Sequence, residues 1–149
     1  MSMINEVIDG VVAAIRAEWP DVPIYTGEVA QGLEEPCFSV RCIRPRQKQV
    51  VGRRYFKSHR LRIYYFPNPG YEAWREIQAV YERLFSVLEL ISCGGDMIRG
   101  TDMDTHIEDD VGIFMVNYDF FVHRTPEDEA EMEELEQMIS AKEEIHEQI

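Results

Sequence analysis

The 149-residue chain has no apolar run approaching the ~20 residues that span a bilayer. Its first residues lack the basic segment of a secretory leader, and Glu6 and Asp9 interrupt the early apolar stretch. The expectation is a protein that remains in the cytosol where it is made, without a membrane partner. Cysteine is scarce: Cys37, Cys42 and Cys93 form an odd set without a CxxC. On a strand over 37–43, a spacing of five sends Cys37 and Cys42 to opposite faces. Neither a shared metal nor a mutual disulfide is then expected, and buried apolar thiols are the simpler reading. Repeats and low-complexity linkers are missing, and the length suits one α+β domain of ordinary apolar content.

Catalytic signatures are missing too. There is no GxSxG, no Walker loop, no GxGxxG after a strand and no HExxH. His59, His106, His123 and His146 are dispersed. Positions 106 and 123 have a chance to pair across a hairpin, but two histidines alone make no metal site. No enzyme activity, catalytic residue, metal or cofactor is expected. The acidic group Asp102, Asp104, Glu108, Asp109 and Asp110 lacks the spacing of a calcium loop. It reads as a solvated face or as a partner for arginine on another subunit.

What the sequence does have is segregated charge. The net charge is −13, yet residues 36–71 hold no acid and nine bases. These are Arg41, Arg44, Arg46, Lys48, Arg53, Arg54, Lys57, Arg60 and Arg62. Residues 126–149 hold ten acids against the single Lys142. A monomer has little use for such polarity, whereas a head-to-tail assembly does.

The hydrophobic pattern predicts a helix over 3–18, with Ile4, Val7, Ile8, Val11, Val12 and Ile15 on one face. Pro20 stops it, and a strand is expected over Ile24–Val29. Alternation predicts a strand over Pro36–Ile43, with Phe38, Val40 and Cys42 on one face, and Arg44-Pro45-Arg46 as a break. Gln47–Val51 and Arg54–Phe66 form two arms around a Gly52-Arg53 tip. Leu61, Ile63 and Tyr65 point inward, and Arg60, Arg62 and Tyr64 outward.

After the Pro67–Gly70 loop comes a helix over about 71–91, with Trp74, Ile77, Tyr81, Leu84, Phe85, Leu88 and Ile91 on its buried face. Cys93-Gly94-Gly95 is expected to end it. A hairpin follows, Met97–Ile107 with Val111–His123. Its inward positions are Met97, Thr101, Met103, Thr105 and Ile107 on the first strand. On the second they are Phe114, Val116, Tyr118, Phe120 and Val122. Thr125-Pro126 with acids in the first turn starts a last helix, running to about 147. Its apolar stripe is thin: Met132, Leu135, Met138, Ile139 and Ile145. The fold class is α+β, a mixed, mainly antiparallel sheet with two helices packed on it and a C-terminal acidic helix.

The basic ribbon supports two readings. Arginine and lysine beside Tyr55 and Phe56 suit phosphate contact, making residues 41–62 a nucleic-acid-binding module. The same charges suit an acidic protein surface, which the chain itself supplies, and this reading is favoured. Residues expected at subunit or partner contacts are Arg41, Arg53, Arg54, Lys57, Arg60 and Arg62. Asp102, Asp104, Met132 and Leu135 are expected on the complementary side.

Several segments resemble tail terminator proteins encoded in bacterial prophages. They are Met3-Ile4-Asn5, the helix Val7–Trp19, Pro23-Ile24-Tyr25-Thr26-Gly27-Glu28, Gly32–Phe38, Gln47–Arg54 and Tyr64-Tyr65-Phe66-Pro67. The resemblance extends over most of residues 3–124. It implies a mixed α+β fold and a ring, usually a homohexamer, that caps the head-proximal end of a tail tube. Such a ring stops tube growth and presents a surface for head joining. Its implied partners are itself, the tube protein and a head-completion protein, with DNA passing through the lumen. The implied location is the host cytoplasm during assembly and then the virion tail. No active-site residues come with the family. Residues 1–124 would form the terminator-like domain, and 125–149 an acidic helical extension that departs from the family pattern.

Overall fold

The computed structural model describes residues 3–27, 32–70, 72–124 and 133–142. Helix α1, Met3–Glu18, buries Val7, Val11, Val12 and Ile15 along the expected stripe. The Trp19 N–H bonds the Ile15 carbonyl at 2.9 Å, and the chain turns at Pro20. Strand β1 is only Ile24–Tyr25, running parallel to the next strand with Ile24 opposite Phe38. The expected continuation stops short: Thr26 and Gly27 lie outside the strand, and 28–31 lie outside the described residues.

Strand β2, Cys37–Val51, and β3, Arg54–Phe66, flank the Gly52-Arg53 tip as expected. Gly52 takes φ 54°, where a side chain would be strained. The break at Arg44-Pro45-Arg46 does not occur, since β2 runs through it unbroken. β1 pairs with β2 only at Phe38 and Ser39. Beyond them, among the described residues, no strand pairs with the outer side of β2, so Pro45 lies in an edge strand, where proline is tolerated. Alternation also fails over Cys37–Val40, all four of which are buried.

Helix α2 is Ala73–Val87, shorter than the pattern suggested. Glu76 fixes its approach. Its carboxylate accepts from Tyr65 Oη at 2.9 Å and from the Asn68 backbone N–H and side-chain amide at 2.9 and 3.0 Å. The buried face carries Ala73, Ile77, Val80, Tyr81 and Leu84. Trp74 lies off this stripe and is 57% exposed, with its indole N–H on Asp110 Oδ1 at 3.2 Å. Phe85 is likewise exposed at 43%, though its ring meets Phe114 edge-on.

The rest of the predicted helix is strand β4, Leu90–Cys93, with Ile91 and Cys93 buried alternately. Gly94 and Gly95, at φ 58° and 92°, turn it into β5, Asp96–Glu108. Two consecutive positive φ values are what a tight hairpin turn requires, so this glycine pair is a strand connector. β6, Val111–His123, pairs antiparallel with β5. A bulge between Thr101 and Asp104 shifts the face presented by β5. Before it Ile98 and Gly100 are partly covered, and after it Met103, Thr105 and Ile107 are. Met97 and Thr101, expected inward, are exposed.

The sheet order is β1-β2-β3-β6-β5-β4. One core joins Val11 and Ile15 of α1, Ile77 and Leu84 of α2, Leu61 and Ile63 of β3, and Phe114, Val116 and Tyr118 of β6. Residues 133–142 form a third helix. The chain divides into two compact units, one of 1–47 with 57–120 and another of 48–56 with 121–149. Among the described residues no helix is long and apolar enough to cross a membrane.

Candidate functional site

With the inward residues of β3 and β6 in the core, alternation places their neighbours on the opposite face. There the sheet forms an open polar trough of about 820 Å³ across β2, β3, β6 and β5. Arg44 and Arg46 come from β2, and Ser58, Arg60 and Arg62 from β3, each two residues from the next. Asn117 comes from β6, and Asp102, Met103 and Asp104 from the bulge of β5. Ile43, 40% exposed, adds an apolar wall.

Arg60 is held on the trough floor. Its Nη1 donates to Asn117 Oδ1 at 2.9 Å and to the Asp102 carbonyl at 2.8 Å. That carbonyl is available because Asp102 adopts φ 49° within the bulge, a left-handed conformation that aspartate tolerates better than most residues. Asn117 Nδ2 in turn donates to Asp102 Oδ2 at 3.4 Å. Arg62 Nη1 reaches Tyr64 Oη at 3.3 Å, while its Nε is shielded from solvent without a partner among the described residues. Nearby, Ser58 Oγ donates to Asp119 Oδ1 at 2.7 Å. The trough thus gathers four guanidiniums around two carboxylates. Planar donors in excess of acceptors suit carboxylate or phosphate oxygens.

Of the residues expected at contacts, the structure brings together Arg60, Arg62, Asp102 and Asp104. Arg41 lies apart, its guanidinium 5.8 Å from the Tyr64 ring centroid. Lys57 lines a separate hollow with Met3, Ile4 and Gln47. In the second unit Arg54 lies 4.2 Å over the Phe121 ring, and Phe121 also packs against Phe56 at 5.3 Å. Arg124 covers Tyr55 at 4.1 Å, and its N–H bonds the Arg53 carbonyl at 2.8 Å. The hairpin tip is therefore a cation–aromatic cluster as well as a basic projection. Leu135 is 58% exposed, and Met132 lies outside the described residues.

Arg44 and Arg46 were counted among the bases of the ribbon but, like Ser58 and Asn117, were not expected at contacts. The two-residue spacing 44/46 and 58/60/62 was available, but taking 44–46 as a break hid the first half of it.

His106 faces Ile113 across the β5–β6 ladder, not His123. Among the described residues, no three potential ligands gather to hold a metal ion. Burial pushes the thiols of Cys37, Cys42 and Cys93 up, away from reactive thiolate. Burial also raises Tyr65 and Tyr118, and Tyr118 Oη donates to the Leu88 carbonyl at 2.7 Å. His59, only 3% exposed, sets Nδ1 3.1 Å from the Tyr118 carbonyl and stacks on Phe120. A carbonyl can only accept, so Nδ1 carries the proton.

No curated protein sequence matches the chain. A solved protein structure aligns over 79% of this chain and 96% of its own, at 15% identity and a TM-score of 0.38. The family model described as phage tail terminator protein matches residues 6–131, from α1 through every strand of the sheet. With most of its length matched in this way, the chain belongs to the phage tail terminator family.

Proposed function

We propose that the protein assembles as a homomeric ring, a hexamer, on the head-proximal end of the tail tube. There it ends tube polymerisation and offers the surface to which a head-completion protein joins. The family match over residues 6–131 carries this reading, and a structural role in tail assembly follows from the family. The opposed charges of residues 36–71 and 126–149 support a directional interface, since unlike patches on one subunit favour heterologous contacts that close into rings. In this reading residues 1–124 are the terminator domain, and 125–149 an acidic extension. Assembly takes place in the host cytoplasm and ends in the virion tail. Static light scattering of the purified protein, followed by electron microscopy with tube subunits, tests it. The expected result is a closed oligomer that shortens or caps tubes. A monomer at every concentration, without effect on tubes, overturns it.

The trough's arginines favour one second reading, a nucleic-acid contact through residues 41–62. It calls for steeply salt-dependent retention on duplex DNA. The net charge of −13 and the two trough carboxylates oppose it.

A further inference from the structure

We infer that the trough is a socket for the acidic helix at 133–142 of a second copy of this chain. The inference rests on the ring reading above and specifies its contact.

The two surfaces fit in charge and in chemistry. On the helix, Leu135, Met138 and Ile139 recur at three- and four-residue spacing and are 58, 61 and 51% exposed. At ~100° per residue, Glu134 and Glu136 flank that stripe on either side. Placed stripe-down, the helix thus offers apolar contact at its centre over 135–139 and a carboxylate along each border, with Lys142 further along the same stripe. The trough offers Ile43 as an apolar contact with guanidiniums beside it. Among the described residues, neither Arg44 nor Arg46 has a carboxylate partner. A phosphate backbone fits less well, because Asp102 and Asp104 would face it while its phosphates made no use of Ile43.

The test is a charge swap read by sedimentation. Arg44→Glu with Arg46→Glu removes the socket's unpartnered cations at exposed positions outside the core. Glu134→Lys with Glu136→Lys reverses the helix borders. Each double variant should raise the protein concentration for half-assembly by about tenfold or more, as losing several cooperating ion pairs does. Combining all four substitutions should restore assembly, a result that simple misfolding cannot produce, and circular dichroism checks each fold. If the wild type is oligomeric and both double variants sediment like it, the socket is overturned while the ring stands. If the wild type is monomeric throughout, the ring and the socket fall together. Duplex DNA retained by the wild type and lost by Arg44→Glu/Arg46→Glu, with assembly unchanged, gives the trough to nucleic acid instead.

Discussion

Leu84 and His59 show what burial does to an apolar and to a titratable side chain. Leu84 is fully buried in the core shared by both helices and the sheet. Leu84→Ala should lower unfolding free energy by ~2–5 kcal/mol, the range for truncating a core leucine, read by urea denaturation. A loss under ~1 kcal/mol would contradict this packing. For His59, burial holds the imidazole below its ordinary value of 6.5, and the Lys57 charge adds to that. The Tyr118 carbonyl and Asp119 pull the other way with less effect. The unfolded chain then takes up the proton more readily than the folded one. Stability is complete above pH 6.5 and declines as the pH falls below it towards the folded pKa. Comparing wild type with His59→Gln between about pH 5 and 7.5 should show a shallower slope in the variant. Parallel curves would assign the pH dependence elsewhere.

At the scale of elements, close approach is set by glycine. A Cβ on Gly10 would collide with the Ser92 carbonyl, so α1 lies directly against β4 only because position 10 has no side chain. Gly10→Ala should destabilise by ~1–3 kcal/mol despite the better helix propensity of alanine, measurable as a lowered Tm. Gly100 plays the same part, since a Cβ there would stand 2.5 Å from the Leu88 carbonyl. Helices α1 and α2, the Gly52-Arg53 tip and the inward residues of β3 and β6 were legible in the sequence because each has a long, one-sided pattern. Leu88 is buried as expected, as the C-cap of α2, whereas Ile91 was misplaced because a spacing of seven from Leu84 also fits a helix. Only pairing with β5 makes Leu90–Cys93 a strand. Pro45 misled for a related reason. Its cost depends on whether the strand has a neighbour there, which tertiary structure alone decides. Met97 and Thr101 were misassigned because Gly100 marks a bulge in the sequence without fixing the residue at which the two faces exchange.

Taken as a whole molecule, the protein separates its two faces by chemistry: an apolar one under the helices and a basic one in the trough. The charge imbalance was legible in the sequence, but the convergence of Arg44, Arg46, Arg60 and Arg62 was not, since it depends on the β2-β3-β6-β5 order. Contacts built on such exposed charge are screened over ~8–10 Å near physiological ionic strength and over ~3 Å at 1 M. The proposed ring should therefore dissociate towards subunits as salt approaches ~1 M, followed by analytical ultracentrifugation. Mass unchanged across that range would point to an interface held by apolar contact. The two tryptophans carry a separate consequence. Trp19 is half-buried, its ring 5.0 Å from Phe38, whereas Trp74 stands mostly in solvent at the start of α2. The molecule accordingly contains two indole fluorophores with different duties. The shielded indole reports whether the domain is folded, and acrylamide quenching of the open one reports whether anything has come to rest on that end of the helix.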